Sequence, residues 1–96
     1  MVKIEIPVLS KEQKSDMYTW LNDFASSEID GNCHAYHATV EINRLMLKCG
    51  EIEVAREIRV KRKELTSEIS GEISKSMVNF LDNYDTINGD KVKIND

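Results

Sequence analysis

The chain has 96 residues, enough for one domain. A domain of that size has a thin core, burying about 60–65% of the unfolded surface, with no room for a second domain or a deep substrate cavity. Hydrophobic residues make up 41% and charged residues 31%, with a net charge of −4, which excludes a disordered chain and disfavours nucleic acid as a partner for the surface as a whole.

The opening residues, MVKIEIPVLSKEQ, hold no signal-peptide apolar core. No apolar run reaches the ~20 residues of a membrane span. The expected location is therefore the cytoplasm, with no membrane partner. Val2, Ile4 and Ile6 alternate with Lys3 and Glu5, which predicts a short strand over 2–6, stopped by Pro7. Ser10 and Gln13 have the spacing of a capping box. Behind them Met17, Trp20, Leu21 and Phe24 fall at i, i+3, i+4 and i+7, an amphipathic helix from Lys11 to Ser26. Asp30-Gly31 reads as a turn.

A second helix is predicted from Asn32 or Cys33 to Lys48, with Gly50 as its stop. Ala35, Ala38, Ile42, Leu45, Met46 and Cys49 share one face. A smaller stripe of Tyr36, Val40 and Leu47 lies on another side, so this helix is expected to sit between two neighbours. Cys33 and Cys49 would be about 24 Å apart along it at 1.5 Å per residue, too far to bridge. They are expected to be free thiols in a reducing compartment.

A third helical segment begins at Glu51, with Ala55, Ile58, Leu65, Ile69, Ile73, Phe80 and Tyr84 in one stripe. Continuous helix over 51–84 would be about 50 Å long, whereas a domain of this size has a radius of gyration near 13 Å. Either the helix breaks near Gly71, or it projects and is covered by another chain. Asn88-Gly89 then predicts a turn, and Lys91-Val92-Lys93-Ile94 a second short strand able to pair with the first. The stretch Leu47-Lys48-Cys49-Gly50-Glu51-Ile52-Glu53-Val54-Ala55 resembles the helix-turn-helix joint of tetratricopeptide and pentatricopeptide repeats. There a glycine ends one helix and an alanine lets the next approach closely. The resemblance implies an antiparallel helical hairpin. The predicted fold is thus mainly α: one domain over 1–96, a small helical bundle built on that hairpin, with terminal strands at 2–6 and 91–94.

Three constellations bear on function. In the basic run of the third segment, Arg56, Arg59 and Lys63 fall on one outward face at i, i+3 and i+7. Glu53, Glu57 and Glu64 are their helical neighbours, so a solvated face is the plain reading; an acidic protein surface or a phosphate backbone are the functional ones. Arg62 instead falls inside the apolar stripe, where a charge must snorkel out or pair, with Glu41 or with an acid of a second chain. Cys33, His37 and Glu41, with His34 beside them, offer zinc-type ligands, but ligands in line along one straight helix do not converge tetrahedrally. No metal and no cofactor is expected. A cysteine–histidine nucleophile fails as well, since nothing marks an oxyanion hole. No phosphate loop, GxSxG or paired CxxC occurs.

The expected function is accordingly that of a small non-enzymatic interaction protein with no catalytic residue. It is expected to be a homodimer built on the second and third helices, regulating or inhibiting another protein in the manner of phage or mobile-element (viral) proteins. Its candidate binding residues are Arg56, Arg59, Arg62 and Lys63. The alternative is a nucleic-acid-binding regulator using the same basic face.

Overall fold

Ser10 opens the first helix as a capping box: its hydroxyl accepts from the Gln13 N–H at 3.0 Å, and the Gln13 side chain accepts from the Ser10 N–H at 2.9 Å. The computed structural model of the chain describes residues 6–26 and 33–86. Within them run α1 (Lys11–Ala25), α2 (Cys33–Lys48), α3 (Ile52–Lys63) and α4 (Ser67–Asp82), followed by a 3-10 turn over Tyr84–Thr86. The result is the mainly α bundle expected from the apolar periodicity. Of the expected strand 2–6 only Ile6 is among the described residues, where it has no regular structure. The expected strand 91–94 and the turns at Asp30-Gly31 and Asn88-Gly89 lie outside them.

α2 and α3 form the expected hairpin. Gly50 takes φ +88°, the Glu51 N–H donates to Met46 O at 2.8 Å, and the Gly50 N–H donates to Leu47 O at 3.2 Å. These are the two reverse bonds of a Schellman motif, which ends α2 through the left-handed conformation that glycine adopts without a Cβ penalty. Inside the joint, the buried Asn43 amide donates to Ala55 O at 2.8 Å, fixing α3 against α2.

The third segment does break, but not at Gly71. α3 ends at Lys63 and α4 starts at Ser67, leaving Gly71 inside α4. The physical reason is a helix end and a helix start side by side. Lys61, Arg62 and Lys63 occupy the last turn of α3, where cations suit the carboxyl end of the dipole. The Thr66 hydroxyl then accepts from the Ile69 N–H at 3.2 Å as a new N-cap, with Glu68 in the first turn. The break takes Leu65 out of the expected buried stripe. It is 36% exposed, and Ile69 is only half-buried.

Folded back, α4 lies chiefly on α1. Leu21 and Phe24 of α1 meet Ile42 and Met46 of α2, Ala55 and Ile58 of α3, and Ile73, Met77 and Leu81 of α4 in one core, closed at one end by Ile6, Leu9 and Tyr84. The buried Ser74 hydroxyl donates to Leu21 O at 2.8 Å, tying α4 to the α1 backbone. The far end of α4 is held by Tyr18 donating to Asp82 at 2.7 Å, Lys14 to Asp85 at 3.1 Å, and Tyr84 to Pro7 O.

Burial pushes the Tyr84 phenol up to about 12. Burial together with the Asp82 bond does the same for Tyr18, also to about 12. Both folded-state values exceed the ordinary tyrosine value of 10.0, so folding favours the protonated phenols. Their contribution is complete below pH 10 and is lost as pH rises through about 12. Thermal melts followed by circular dichroism across that window should show a falling midpoint, and the fall should shrink in the Tyr18→Phe/Tyr84→Phe double variant. An unchanged fall in that variant would exclude the phenols as its origin.

Candidate interaction surface

Once the core is closed, the described apolar residues left outside it concentrate on the hairpin. Tyr36 (45% exposed) and Leu47 (38%) on α2 sit beside half-buried Val40, while Ile52 (50%) opens α3 and Val60 (54%) lies further round it. The second stripe of α2, expected to face a neighbour, therefore has one only in part. Between α2 and α3 runs a shallow groove of about 340 Å³ lined by Val40, Asn43, Arg44, Leu47, Arg59 and Arg62.

The two walls differ in chemistry. Tyr36, Val40, Asn43 and Leu47 recur at i, i+4, i+7 and i+11, so α2 supplies an apolar wall with one amide, and that amide is engaged by Ala55 O. On α3 the groove is lined by Arg59 and Arg62, a basic wall, and Arg56 and Lys63 lie on the exposed stripe that passes through Arg59. Arg44 adds a further cation from α2; it reaches Glu41 on its own helix at 3.4 Å, an exposed pair of little energetic weight. Lys61, on the other side of α3, bridges to Glu57 at 3.3 Å and to Glu72 of α4 at 3.0 Å, and both carboxylates raise its pKa, that of Glu72 most.

Arg62 closes the groove at the Tyr36 end. It does not pair with Glu41. One terminal nitrogen donates to the Tyr36 hydroxyl at 3.1 Å, and the guanidinium carbon lies 5.0 Å from the Tyr36 ring centroid, in cation–π range. Its Nε–H is buried and meets no acceptor. The structure thus brings Arg59 and Arg62 together with Arg44, and places Arg56 and Lys63 along the same exposed stripe. Arg44 and Asn43 were not among the residues singled out from the sequence. Arg44 was legible there, being four residues after Val40 and three before Leu47; the role of Asn43 depends on where α3 lies.

Of the Cys33/His34/His37/Glu41 cluster, the His34 ring stacks on Trp20, with centroids 5.4 Å apart and planes 20° from parallel, and His37 and Glu41 line, with Trp20, the groove between α1 and α2. The Cys33 side chain lies outside the described residues. Among those described, no group of three or more histidine, cysteine, aspartate or glutamate side chains is placed to hold a metal ion. The α1–α2 groove, of about 460 Å³, mixes Met17 and Trp20 with Asp16 and Glu41 on the one hand and Arg44 and Lys48 on the other, so it has no single electrostatic sign. Cys49 is a half-buried free thiol, its pKa raised by burial and by Glu51. That shift opposes thiolate formation and hence nucleophilicity. No described helix is long and apolar enough to cross a membrane.

Comparison with protein-family models, with curated proteins and with solved structures finds no match to this chain.

Proposed function

We propose that the chain is a non-enzymatic interaction protein that acts by binding another protein through the α2–α3 face, as a regulator or inhibitor of that partner. The observation that carries this reading is the placement of Tyr36, Val40 and Leu47 in a row beside Arg44, Arg59 and Arg62, outside a core that already accounts for Ile58, Ile73 and Phe80. Exposed apolar residues rimmed by charge are the signature of a surface awaiting a protein partner.

The expected homodimer drew on the need to cover both apolar faces of α2 and the long stripe of the third segment. Within one protomer Ala38, Ile42, Leu45, Ile58, Ile73 and Phe80 are buried, which leaves the Tyr36/Val40/Leu47 face as the surface such a dimer would use. Binding of nucleic acid through Arg56, Arg59 and Lys63 is the second reading, favoured by the exposure of all three.

The test is affinity retention from the source cell on immobilised wild-type chain, on Leu47→Glu/Val40→Glu, and on Lys75→Glu, a change at an exposed site on α4. The wild type and Lys75→Glu are expected to hold the same discrete protein, and the groove variant to hold roughly tenfold less or lower. Equal retention by the groove variant, with its helical signal intact, would overturn the assignment of this face. Retained nucleic acid, released steeply by salt, would favour the second reading.

A further inference from the structure

Resting on that reading, we infer that the segment recognised in the α2–α3 groove is an acidic amphipathic helix of the partner protein, its apolar side laid on α2 and its carboxylates turned to α3. The argument begins from the division of the groove into two unlike walls. Tyr36, Val40 and Leu47 span twelve residues of α2, about 16 Å between first and last at 1.5 Å per residue, which matches about three turns of a docked helix. Apolar anchors at i, i+4 and i+7 or i+11 on such a helix meet this wall, the usual register of helix-in-groove recognition.

The opposite wall fixes the sign of the partner's other flank. Arg56, Arg59 and Lys63 are exposed, and no ion pair holds them among the described contacts. A chain with net charge −4 has gathered cations here against its overall balance. Arg62 adds donors at the Tyr36 end, because its guanidinium carries four terminal N–H groups and the Tyr36 hydroxyl takes one. Carboxylates one and two turns apart on the docked helix would face this row in the geometry that guanidinium groups favour.

The same charges decide against two other occupants. A second copy bound through this face about a two-fold axis would bring a second row of the same cations to the seam, a like-charge juxtaposition that opposes pairing. A phosphate backbone would satisfy the α3 wall but leave Tyr36, Val40 and Leu47 uncovered.

The experiment is selection of a ribosome-displayed library of random peptides, about four turns long, on the folded chain. Binders are then remeasured by fluorescence anisotropy on Arg44→Glu/Arg59→Glu. Both arginines are exposed, so the variant should keep the wild-type circular dichroism and melting midpoint. The expected result is enrichment of aspartate and glutamate on one helical flank and of apolar residues on the other. Affinity should fall roughly tenfold or more in the variant and be regained by peptides with lysine in place of the acids. Neutral or basic winners, binding equal in the two proteins, or no groove-dependent winner would each overturn the inference. A groove-dependent protein partner whose binding segment is not acidic would overturn it too while leaving the proposed function standing; loss of groove dependence in the retention experiment would remove the proposed function itself.

Discussion

Phe24→Ala is expected to lower stability by about 3–5 kcal/mol, the range for truncating a fully buried phenylalanine. Phe24 is 0% exposed near the end of α1 and belongs to the cluster formed with Leu21, Ile42, Met77 and Leu81. Its removal takes away transfer energy and leaves a cavity that helices fixed by Asn43–Ala55 and Ser74–Leu21 bonds cannot readily close. A chain of 96 residues has a total stability of about 5–14 kcal/mol at 0.05–0.15 kcal/mol per residue. The variant should therefore melt on the order of 15–30 °C lower, or be unfolded at room temperature. Leu47→Ala, made at an exposed position of α2, should stay within about 0.5 kcal/mol of wild type. Chemical denaturation of both variants checks the pair. A Phe24→Ala midpoint equal to that of wild type would mean that α4 does not close over α1.

Much of this core is visible as periodicity. Met17, Trp20, Leu21 and Phe24 mark the inner side of α1, and Ala35, Ala38, Ile42 and Met46 that of α2, because an amphipathic helix exposes its phase directly in the spacing of its apolar residues. The third segment hid its break because Ile58, Leu65 and Ile69 keep helical spacing across the joint. An apolar stripe reports phase, not continuity. The information lay in the charges: three basic residues at 61–63, then Thr66 and Glu68, are an end signal followed by a start signal. Gly71 is the weaker signal, because one glycine inside a helix costs only about 1 kcal/mol and need not end it.

The candidate surface was legible in part for a related reason. The outward phase of Arg56, Arg59 and Lys63 follows from a single helix, and so does the second stripe of Tyr36, Val40 and Leu47. That Arg59 of the one row meets Val40 and Leu47 of the other in one groove follows only from the antiparallel course of the hairpin, set by Gly50 and the Asn43–Ala55 bond. Arg62 illustrates the difference. Its place in an apolar stripe was plain, but its partner is the ring and hydroxyl of Tyr36 across the hairpin rather than a carboxylate.

The two glycines that punctuate the hairpin and α4 should respond to alanine with opposite signs. At Gly71 a Cβ would have no heavy atom within 4 Å, apart from the helix's own nearby backbone, and φ is helical, so Gly71→Ala adds helix propensity and removes unfolded-state entropy without a clash. A gain of about 1 kcal/mol follows. At Gly50 the added Cβ would also meet open space, yet φ is +88°. Alanine there is opposed by its own backbone rather than by neighbours, at about 1–2 kcal/mol, and the hairpin can relieve the strain only by giving up the Schellman bonds to Met46 and Leu47. The two melting midpoints should lie on opposite sides of wild type and differ by on the order of 10–15 °C, given about 4–8 °C per kcal/mol in a domain of this size. Gly50→Asn, whose side chain tolerates the left-handed region better, should fall between Gly50→Ala and wild type. Calorimetry of the three variants decides the matter. Stabilisation by Gly50→Ala would place the α2–α3 turn in a different conformation, and destabilisation by Gly71→Ala would mean that α4 is interrupted at that residue after all.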